Sequence, residues 1–297
     1  MRFHAIARIA PLILVLCAYA HARKDDTETP PVFVPMQDGT KLATNVYLPE
    51  GDGPWPVLLL RSTYGRDHGQ NMTKQGYAVV TQDVRGMGQS EGEKHVFYAD
   101  GWRPGLTDGA DTVNWILAQP WCNGKIGTGG ESALAMTEML LAPTTDKVLA
   151  QFAEAVPSNF YYDVVYQGGV YRQALVDRWL FAIRQPRIIL FYRDKPFFDD
   201  YWTYYNVVDM APKITSPALF VNGWYDIFQQ GTINAFLSRE QNGGPGAKGN
   251  NYLIMDWSTH GSDSTPDYTF NDNRFDLKIS NLRDRFLAYH LKDDAHA

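Results

Sequence analysis

A serine stands between a glycine-rich run and an apolar segment in the stretch GTGGESALAM, residues 127–136. If Ser132 ends a strand and begins a helix, the small neighbours Gly129, Gly130 and Ala133 permit the tight turn that holds its hydroxyl out at the top of a sheet. The first helical N–H groups, with that of Ala133 nearest, would then stabilise an oxyanion. The pattern predicts a nucleophilic serine; a helix cap and a phosphate cradle are the alternatives.

A serine hydroxyl is a weak nucleophile until a base removes its proton. In an α/β-hydrolase the chain order is serine, acid, histidine, so the base must follow Ser132. His260 follows the predicted strand NYLIMD in the loop WSTHG, whereas His290 lies in a predicted amphipathic helix and His296 in the C-terminal tail. Asp226 follows the predicted strand PALFVNG and is the acid expected to orient the imidazole. The order and spacing therefore predict a triad.

Each member of this triad also has a purely structural explanation. Ser132 could cap a helix, Asp226 could be the N-cap of IFQQGTINAF, and His260 could be a hydrogen-bonded loop residue. Three residue types in the right order, each at a predicted strand end, favour the triad. A dinucleotide-binding turn is disfavoured because Ser132 occupies the place of its third glycine. No spacing of His, Cys or carboxylates indicates a metal, so we expect neither metal nor cofactor.

Short apolar runs alternate with amphipathic segments along most of the chain, which predicts an α/β fold, a mostly parallel twisted sheet with helices on both faces. An antiparallel hairpin joined at Asp38–Gly39 is expected to precede it. The aromatic-rich residues 158–210 interrupt this alternation and predict an inserted, mainly helical cap over the ligand crevice. The hydrolase core would then comprise residues 23–157 and 211–297.

The N-terminal residues 1–22 place two arginines before an apolar run that is too short to span a bilayer and ends in small residues. This pattern predicts a signal peptide cleaved after Ala22, hence a secreted or periplasmic protein with no membrane association after cleavage. The remaining chain has 25 basic and 33 acidic residues, a formal net charge of −8 that disfavours nucleic acid as a partner. Cys122 stands alone in it, so no internal disulfide is expected.

Several motifs together resemble the family of serine hydrolases that contains cocaine esterase and X-prolyl dipeptidyl-peptidases: RSTYG, QDVRGMGQSEG, WCNGKIG, GWYDIF and THG. The resemblance implies an α/β-hydrolase fold and the same triad of Ser132, Asp226 and His260. It further implies that Tyr64 in RSTYG donates a hydrogen bond to the oxyanion beside the N–H of Ala133. Three features differ from the family. Alanines stand where its G-x-S-Y-x-G pattern has tyrosine and glycine, the cap looks short, and no C-terminal β-sandwich follows LRDRFLAYHLKDDAHA.

The resemblance also implies that Phe228 lines an acyl pocket, to which the aromatic cap is expected to contribute Tyr161, Tyr162, Tyr166 and Trp179. We therefore expect an exported serine hydrolase that cleaves a small-molecule ester or amide through an acyl-enzyme.

A peptidase or acylase that recognises X-prolyl or α-amino groups is the first alternative, because Asp199 and Asp200 could hold an ammonium group. A catalytically degenerate binding protein is the second. If a β-sandwich is missing, its exposed apolar contact face would favour a homo-oligomer.

Overall fold

The computed structural model describes residues 30–261, 264–265, 268–269 and 278–297. An eight-stranded sheet has the order β1-β2-β4-β3-β5-β6-β7-β8. Its strands are β1 Val32–Pro35, β2 Lys41–Tyr47, β3 Trp55–Ser62, β4 Ala78–Asp83, β5 Cys122–Glu131, β6 Val148–Glu154, β7 Ala218–Gly223 and β8 Tyr252–Asp256. The pairs from β4 through β8 are parallel, while β1–β2 and β2–β4 are antiparallel. The predicted α/β-hydrolase type of sheet is therefore confirmed.

The central strands are apolar because both faces of the sheet are covered. Val113 and Ile116 of one helix pack on one face, and Leu287 and Leu291 of the last helix pack on the other. The helices are α1 Asp108–Leu117, α2 Ala133–Leu141, α3 Gln173–Ala182, α4 Arg187–Arg193, α5 Asp200–Thr203, α6 Gln229–Asn242 and α7 Ile279–Lys292. A short antiparallel pair, β9 Ser264–Thr265 and β10 Tyr268–Thr269, lies between β8 and α7 in the chain.

The first two strands form the hairpin expected at Asp38–Gly39, with Gly39 at a φ of 85°. This positive φ falls in the left-handed region that glycine adopts without strain. The hairpin and its pairing to β4 place the antiparallel strands at one edge of the sheet. The parallel strands that end near the candidate catalytic residues occupy the other part.

The segment 158–210, here called the cap, lies between β6 and β7 and is mainly helical. It comprises a π-helical turn at Phe160–Val165, a short turn at Gln167–Gly169, the helices α3, α4 and α5, and the start of a 3-10 helix at Val208–Lys213. Most of its aromatic side chains belong to one continuous cluster with α2 and β6 of the core. The guanidinium of Arg103 lies 4.2–5.2 Å from the centroids of four tyrosine rings, three of which belong to the cap. Core and cap therefore share one hydrophobic interior.

The predicted signal peptide, residues 1–22, lies outside the described residues. Within the part of the chain that is described, no helix combines the length and the apolar character needed to cross a bilayer.

Candidate active site

Ser132 occupies a sharp turn between β5 and α2. Its φ of 57° and ψ of −116° are rare for a residue with a side chain, as is typical of a strained strand-to-helix elbow. Its N–H donates to the carbonyl of Glu154 on the neighbouring strand at 2.9 Å. A Cβ atom on Gly130 would lie 2.6 Å from Cβ of Leu134, so the turn requires a glycine there. The Ser132 side chain makes no capping hydrogen bond, which leaves its hydroxyl free for other contacts.

Ser132, His260 and Asp226 form a continuous hydrogen-bonded chain. Oγ of Ser132 lies 2.9 Å from Nε2 of His260, and Nδ1 of the same ring lies 2.7 Å from Oδ2 of Asp226. Since a carboxylate can only accept, this network assigns the proton to Nδ1 and leaves Nε2 to accept from the serine. The structure thus brings the three predicted residues together in the arrangement of a nucleophile, a base and an orienting acid.

The carboxylate of Asp226 is held at both oxygens. Oδ1 accepts from the backbone N–H of Phe228 at 2.6 Å, while Oδ2 faces His260. Its side chain is completely buried, and that of His260 is 20 % exposed. The helix α6 begins only at Gln229, so the bond to Phe228 stabilises the loop before the helix. The other carboxylate oxygen orients the imidazole.

The loops that carry the acid and the base are joined through their backbones. The N–H of Trp224 donates to the carbonyl of Asp256 at 2.9 Å, and that of Tyr225 donates to the carbonyl of Ser258 at 3.2 Å. These bonds continue the pairing of β7 and β8 beyond the strand ends. Parallel neighbours thereby deliver Asp226 and His260 to the same edge of the sheet.

A cavity of about 520 Å³, open to solvent, lies in front of Ser132. Apart from Ser132 and His260, its walls are apolar and aromatic, and they come from both core and cap. The lining residues are Tyr64, Phe97, Ser132, Ala133, Met136, Pro157, Phe160, Val164, Leu175, Trp179, Ile227, Phe228 and His260. A site of this composition suits an uncharged, apolar group next to the reacting carbon.

The cavity lining includes four residues expected from sequence: Tyr64, Ala133, Trp179 and Phe228. Ala133 is the first residue of α2, so its backbone N–H is the first of that helix. The first N–H groups of a helix have no partner within it, so this one can donate to an oxyanion. Burial raises the pKa of Tyr64, whose phenol oxygen accepts a hydrogen bond from Nε1 of Trp179 at 2.9 Å. The ring of Phe228 meets that of His260 edge-on, with centroids 5.1 Å apart.

Three cap residues expected from sequence to line the cavity, Tyr161, Tyr162 and Tyr166, are not among its described lining residues. The hydroxyl of Tyr161 donates to the carbonyl of Pro196 at 2.7 Å, and that of Tyr166 donates to the carbonyl of Tyr192 at 2.8 Å. Tyr162 is 51 % exposed. For Tyr161 the physical reason is the π-helical turn at Phe160–Val165, which places its ring against Trp202 in the cap's own aromatic interior.

Seven lining residues were not predicted from sequence: Phe97, Met136, Pro157, Phe160, Val164, Leu175 and Ile227. They are apolar residues in segments whose pattern does not differ from that of ordinary core. The side chains that fill an interior and those that wall a cavity look alike in a sequence.

In the described part of the chain, three further carboxylates lie near the triad at the same edge of the sheet. Glu131 is directly opposite Glu154 on the adjacent strand, and Asp256 ends β8. Burial, together with the negative charges of Glu131 and Asp256, raises the pKa of Glu154 to about 7. Removing a carboxylate from water and placing it near like charges both disfavour its ionised form.

The cap aspartates have local partners. Asp199 accepts from the N–H of Tyr201 at 3.0 Å, as an N-cap of α5, and pairs with Lys195 at 3.0 Å. Neither Asp199 nor Asp200 lines the cavity. The geometry therefore gives no support to an ammonium site built from these two residues.

Comparison with known proteins provides independent information on the family. Residues 38–187 and 182–262 match the family model described as X-Pro dipeptidyl-peptidase (S15 family). The cocaine esterase of Rhodococcus sp. (strain MB1 Bresler) is 28% identical over 269 residues, which cover 71% of this chain and 46% of that protein. The chain spans less than half the length of the curated relatives it matches.

Solved structures with low sequence identity show the same fold. A CocE/NonD family hydrolase from Staphylococcus aureus superimposes with a TM-score of 0.74 at 22% identity, covering 89% of this chain and 50% of the other. An aminopeptidase from the marine sediment archaeon Thaumarchaeota archaeon gives a TM-score of 0.72 at 19% identity, covering 93% and 58%.

Proposed function

This chain belongs to the X-Pro dipeptidyl-peptidase (S15) family. On that premise we propose that it is a serine hydrolase, which cleaves carboxylic esters with apolar acyl groups through an acyl-enzyme on Ser132. The observation that carries the proposal is the hydrogen-bonded chain from Ser132 through His260 to Asp226 at the mouth of an apolar cavity.

The first half-reaction forms the acyl-enzyme. Oγ of Ser132 attacks the ester carbonyl carbon as Nε2 of His260 takes the hydroxyl proton. The negative oxygen of the tetrahedral intermediate accepts hydrogen bonds from the N–H of Ala133 and the hydroxyl of Tyr64. Collapse of the intermediate breaks the bond to the leaving alkoxide, which receives the proton from the imidazolium and departs as the alcohol.

The second half-reaction regenerates the serine. Water loses a proton to Nε2 of His260 and attacks the acyl carbonyl, and the same two donors hold the oxyanion. The Ser132 oxygen then leaves with the proton from the imidazolium, and the carboxylic acid is released. Asp226, fully buried beside Nδ1, stabilises the imidazolium in both halves.

The walls of the cavity favour an ester with an uncharged, apolar acyl group. Among the described residues, its aromatic and aliphatic lining contains no carboxylate to receive the ammonium of an amino-acyl substrate. An alkoxide also leaves more readily than an amine, which favours esters over amides. Peptidase or acylase activity on X-prolyl or α-amino substrates is the second candidate, supported by the match to the peptidase family model.

The N-terminal pattern of residues 1–22 supports export to the periplasm or the medium. This part of the proposal is tested by locating the protein inside or outside the cytoplasm and determining its N-terminal residue. A processed N-terminus near residue 23 supports it, and unprocessed protein that stays in the cytoplasm contradicts it.

The function itself is tested with p-nitrophenyl butyrate. The wild-type protein should release p-nitrophenol, Ser132→Ala should lose at least about 10⁴-fold in kcat, and Ser238→Ala, a serine of α6 remote from the cavity, should match the wild type. Mass spectrometry of acid-quenched wild-type protein should locate the butyryl group on Ser132. A wild-type protein that folds but neither hydrolyses esters nor reacts with a fluorophosphonate would favour the binding-protein alternative.

A further inference from the structure

We propose that Trp179 of the cap is a positioning residue for the reaction: its indole N–H fixes the phenol of Tyr64 so that the phenol's own O–H is directed to the oxyanion. The inference rests on the proposed role of Tyr64 as an oxyanion donor. It makes the cap part of the catalytic apparatus as well as a wall of the cavity.

The contact joins two distant parts of the chain. Nε1 of Trp179, in α3, lies 2.9 Å from the hydroxyl oxygen of Tyr64, 115 residues earlier in the loop after β3. Both side chains line the cavity that contains Ser132. The loop itself is braced near Tyr64, whose backbone N–H donates to Oγ of Ser62 at 2.9 Å.

Trp179 is itself well fixed. It is 8 % exposed and stacks on Phe97, with centroids 5.8 Å apart and planes at 22°. Phe160 meets it edge-on, with centroids 6.2 Å apart. An indole held by two rings has few alternative orientations, so its N–H presents a fixed donor to the phenol. The hydrogen bond from this indole orients the phenol of Tyr64.

The chemistry of the two groups determines the direction of the bond. An indole N–H is only a donor, while a phenol has one O–H donor and two acceptor lone pairs. The phenol oxygen must therefore accept from Trp179, and its O–H must point away from the indole. Accepting a hydrogen bond also favours the phenolate over the phenol and so opposes the rise in the pKa of Tyr64 that burial causes. Both effects make the phenol a better donor to an oxyanion.

A role limited to lining the cavity would have a different signature. Apolar contact with the acyl group acts on substrate binding and appears mainly in KM. An oriented oxyanion donor acts in the transition state and appears in kcat. The two roles are separable because a phenylalanine retains an aromatic ring but has no N–H.

The test is a double-mutant cycle between Trp179→Phe and Tyr64→Phe, measured with p-nitrophenyl butyrate. Loss of one neutral hydrogen bond should lower kcat by about 3- to 10-fold in Trp179→Phe, with little change in KM. The same substitution in the Tyr64→Phe background should change kcat by less than about 2-fold. Trp115→Phe, whose ring contacts Trp121 away from the cavity, serves as the matched control.

A second variant keeps the test valid if Trp179→Phe misfolds. It carries benzothienylalanine at position 179, an isostere of tryptophan that has sulfur in place of the N–H and so preserves the packing. The kcat of this variant should also fall by about 3- to 10-fold. The inference is overturned if Trp179→Phe lowers kcat equally in the wild type and in Tyr64→Phe. It is also overturned if Trp179→Phe changes only KM. If Tyr64→Phe alone leaves kcat unchanged, the proposed role of Tyr64 fails, and the inference about Trp179 fails with it.

Discussion

Gly223 and Ser258 approach so closely that a Cβ atom on Gly223 would lie 1.9 Å from the carbonyl oxygen of Ser258. Gly223 is the last residue of β7, just before Asp226, and Ser258 is just before His260. The missing side chain lets the acid-bearing and base-bearing loops pack backbone to backbone. The 2.7 Å contact between Asp226 and His260 depends on this approach.

Gly223→Ala should therefore separate the acid from the base. A shift of about 1 Å at catalytic groups lowers rates by roughly 10²-fold, and overpacking costs about 1–3 kcal/mol of stability. We expect losses of this size in kcat and in the free energy of unfolding measured by urea denaturation. Gly101→Ala is the matched control, because its nearest neighbour would be at 3.5 Å. Equal behaviour of the two variants would show that the close approach can relax.

Asp226→Asn should lower kcat by about 10³–10⁴-fold while leaving the fold intact. The amide keeps the size of the side chain but removes the charge that stabilises the imidazolium, and its NH₂ group disfavours the required tautomer of His260. Steady-state kinetics with p-nitrophenyl butyrate, beside circular dichroism, make the measurement. A folded variant that retains more than about a tenth of the activity would place the orienting acid elsewhere.

Tyr64→Phe should lower kcat by about 10²–10³-fold with KM nearly unchanged, the usual effect of removing one oxyanion donor. The ring that lines the cavity remains, so substrate binding should persist. A phosphonate that mimics the tetrahedral intermediate should react more slowly with the variant by a similar factor. A change in KM alone would instead assign Tyr64 to binding.

Glu154→Gln should become more stable than the wild type as the pH rises. In the folded protein burial and neighbouring negative charges raise the pKa of Glu154 to about 7, from an ordinary value of 4.5. Between these values the folded state keeps a proton that the unfolded state has lost, so wild-type stability falls with rising pH. The difference in Tm between variant and wild type should grow from pH 4.5 to 7 and then level off.

Glu50→Gln, at an exposed position, is the control for this series. It should show no such trend over the same pH range. If the Glu154→Gln and wild-type curves run parallel, the Glu154 carboxyl titrates in its ordinary range.

Longer apolar acyl groups should be better substrates. Each buried methylene contributes about 0.8 kcal/mol, so p-nitrophenyl butyrate should exceed the acetate by about 10-fold in kcat/KM. Phe228→Ala, which removes a wall of the cavity beside His260, should reduce this ratio. Equal kcat/KM values across acetate, butyrate and benzoate would show that the cavity does not bind the acyl group.

The alternation of strands and helices and the convergence of Ser132, Asp226 and His260 could be predicted from sequence. Each of the three follows a predicted strand, and the carboxyl ends of parallel strands lie at a common edge of the sheet. This reasoning depends on local pattern and chain order, which a single sequence displays.

The rest depends on contacts between distant segments. The bond between Trp179 and Tyr64 spans 115 residues, and nothing near either position indicates the other. The π-helical turn that directs Tyr161 away from the cavity also lacks a sequence signature of its own. Side-chain direction inside an irregular, aromatic-rich cap is determined by tertiary packing, which periodicity does not report.

The position of β8 in the chain has a consequence for biosynthesis. His260 stands 128 residues after its partner Ser132 and follows β8, which occupies the far edge of the sheet. During translation Ser132, the two proposed oxyanion donors and the cap all emerge before His260, the proposed base. On the proposed mechanism, a nascent or prematurely terminated chain that ends before residue 260 carries an inert serine, and hydrolysis begins only after β8, an edge strand of the eight-stranded sheet, has been made and has joined it.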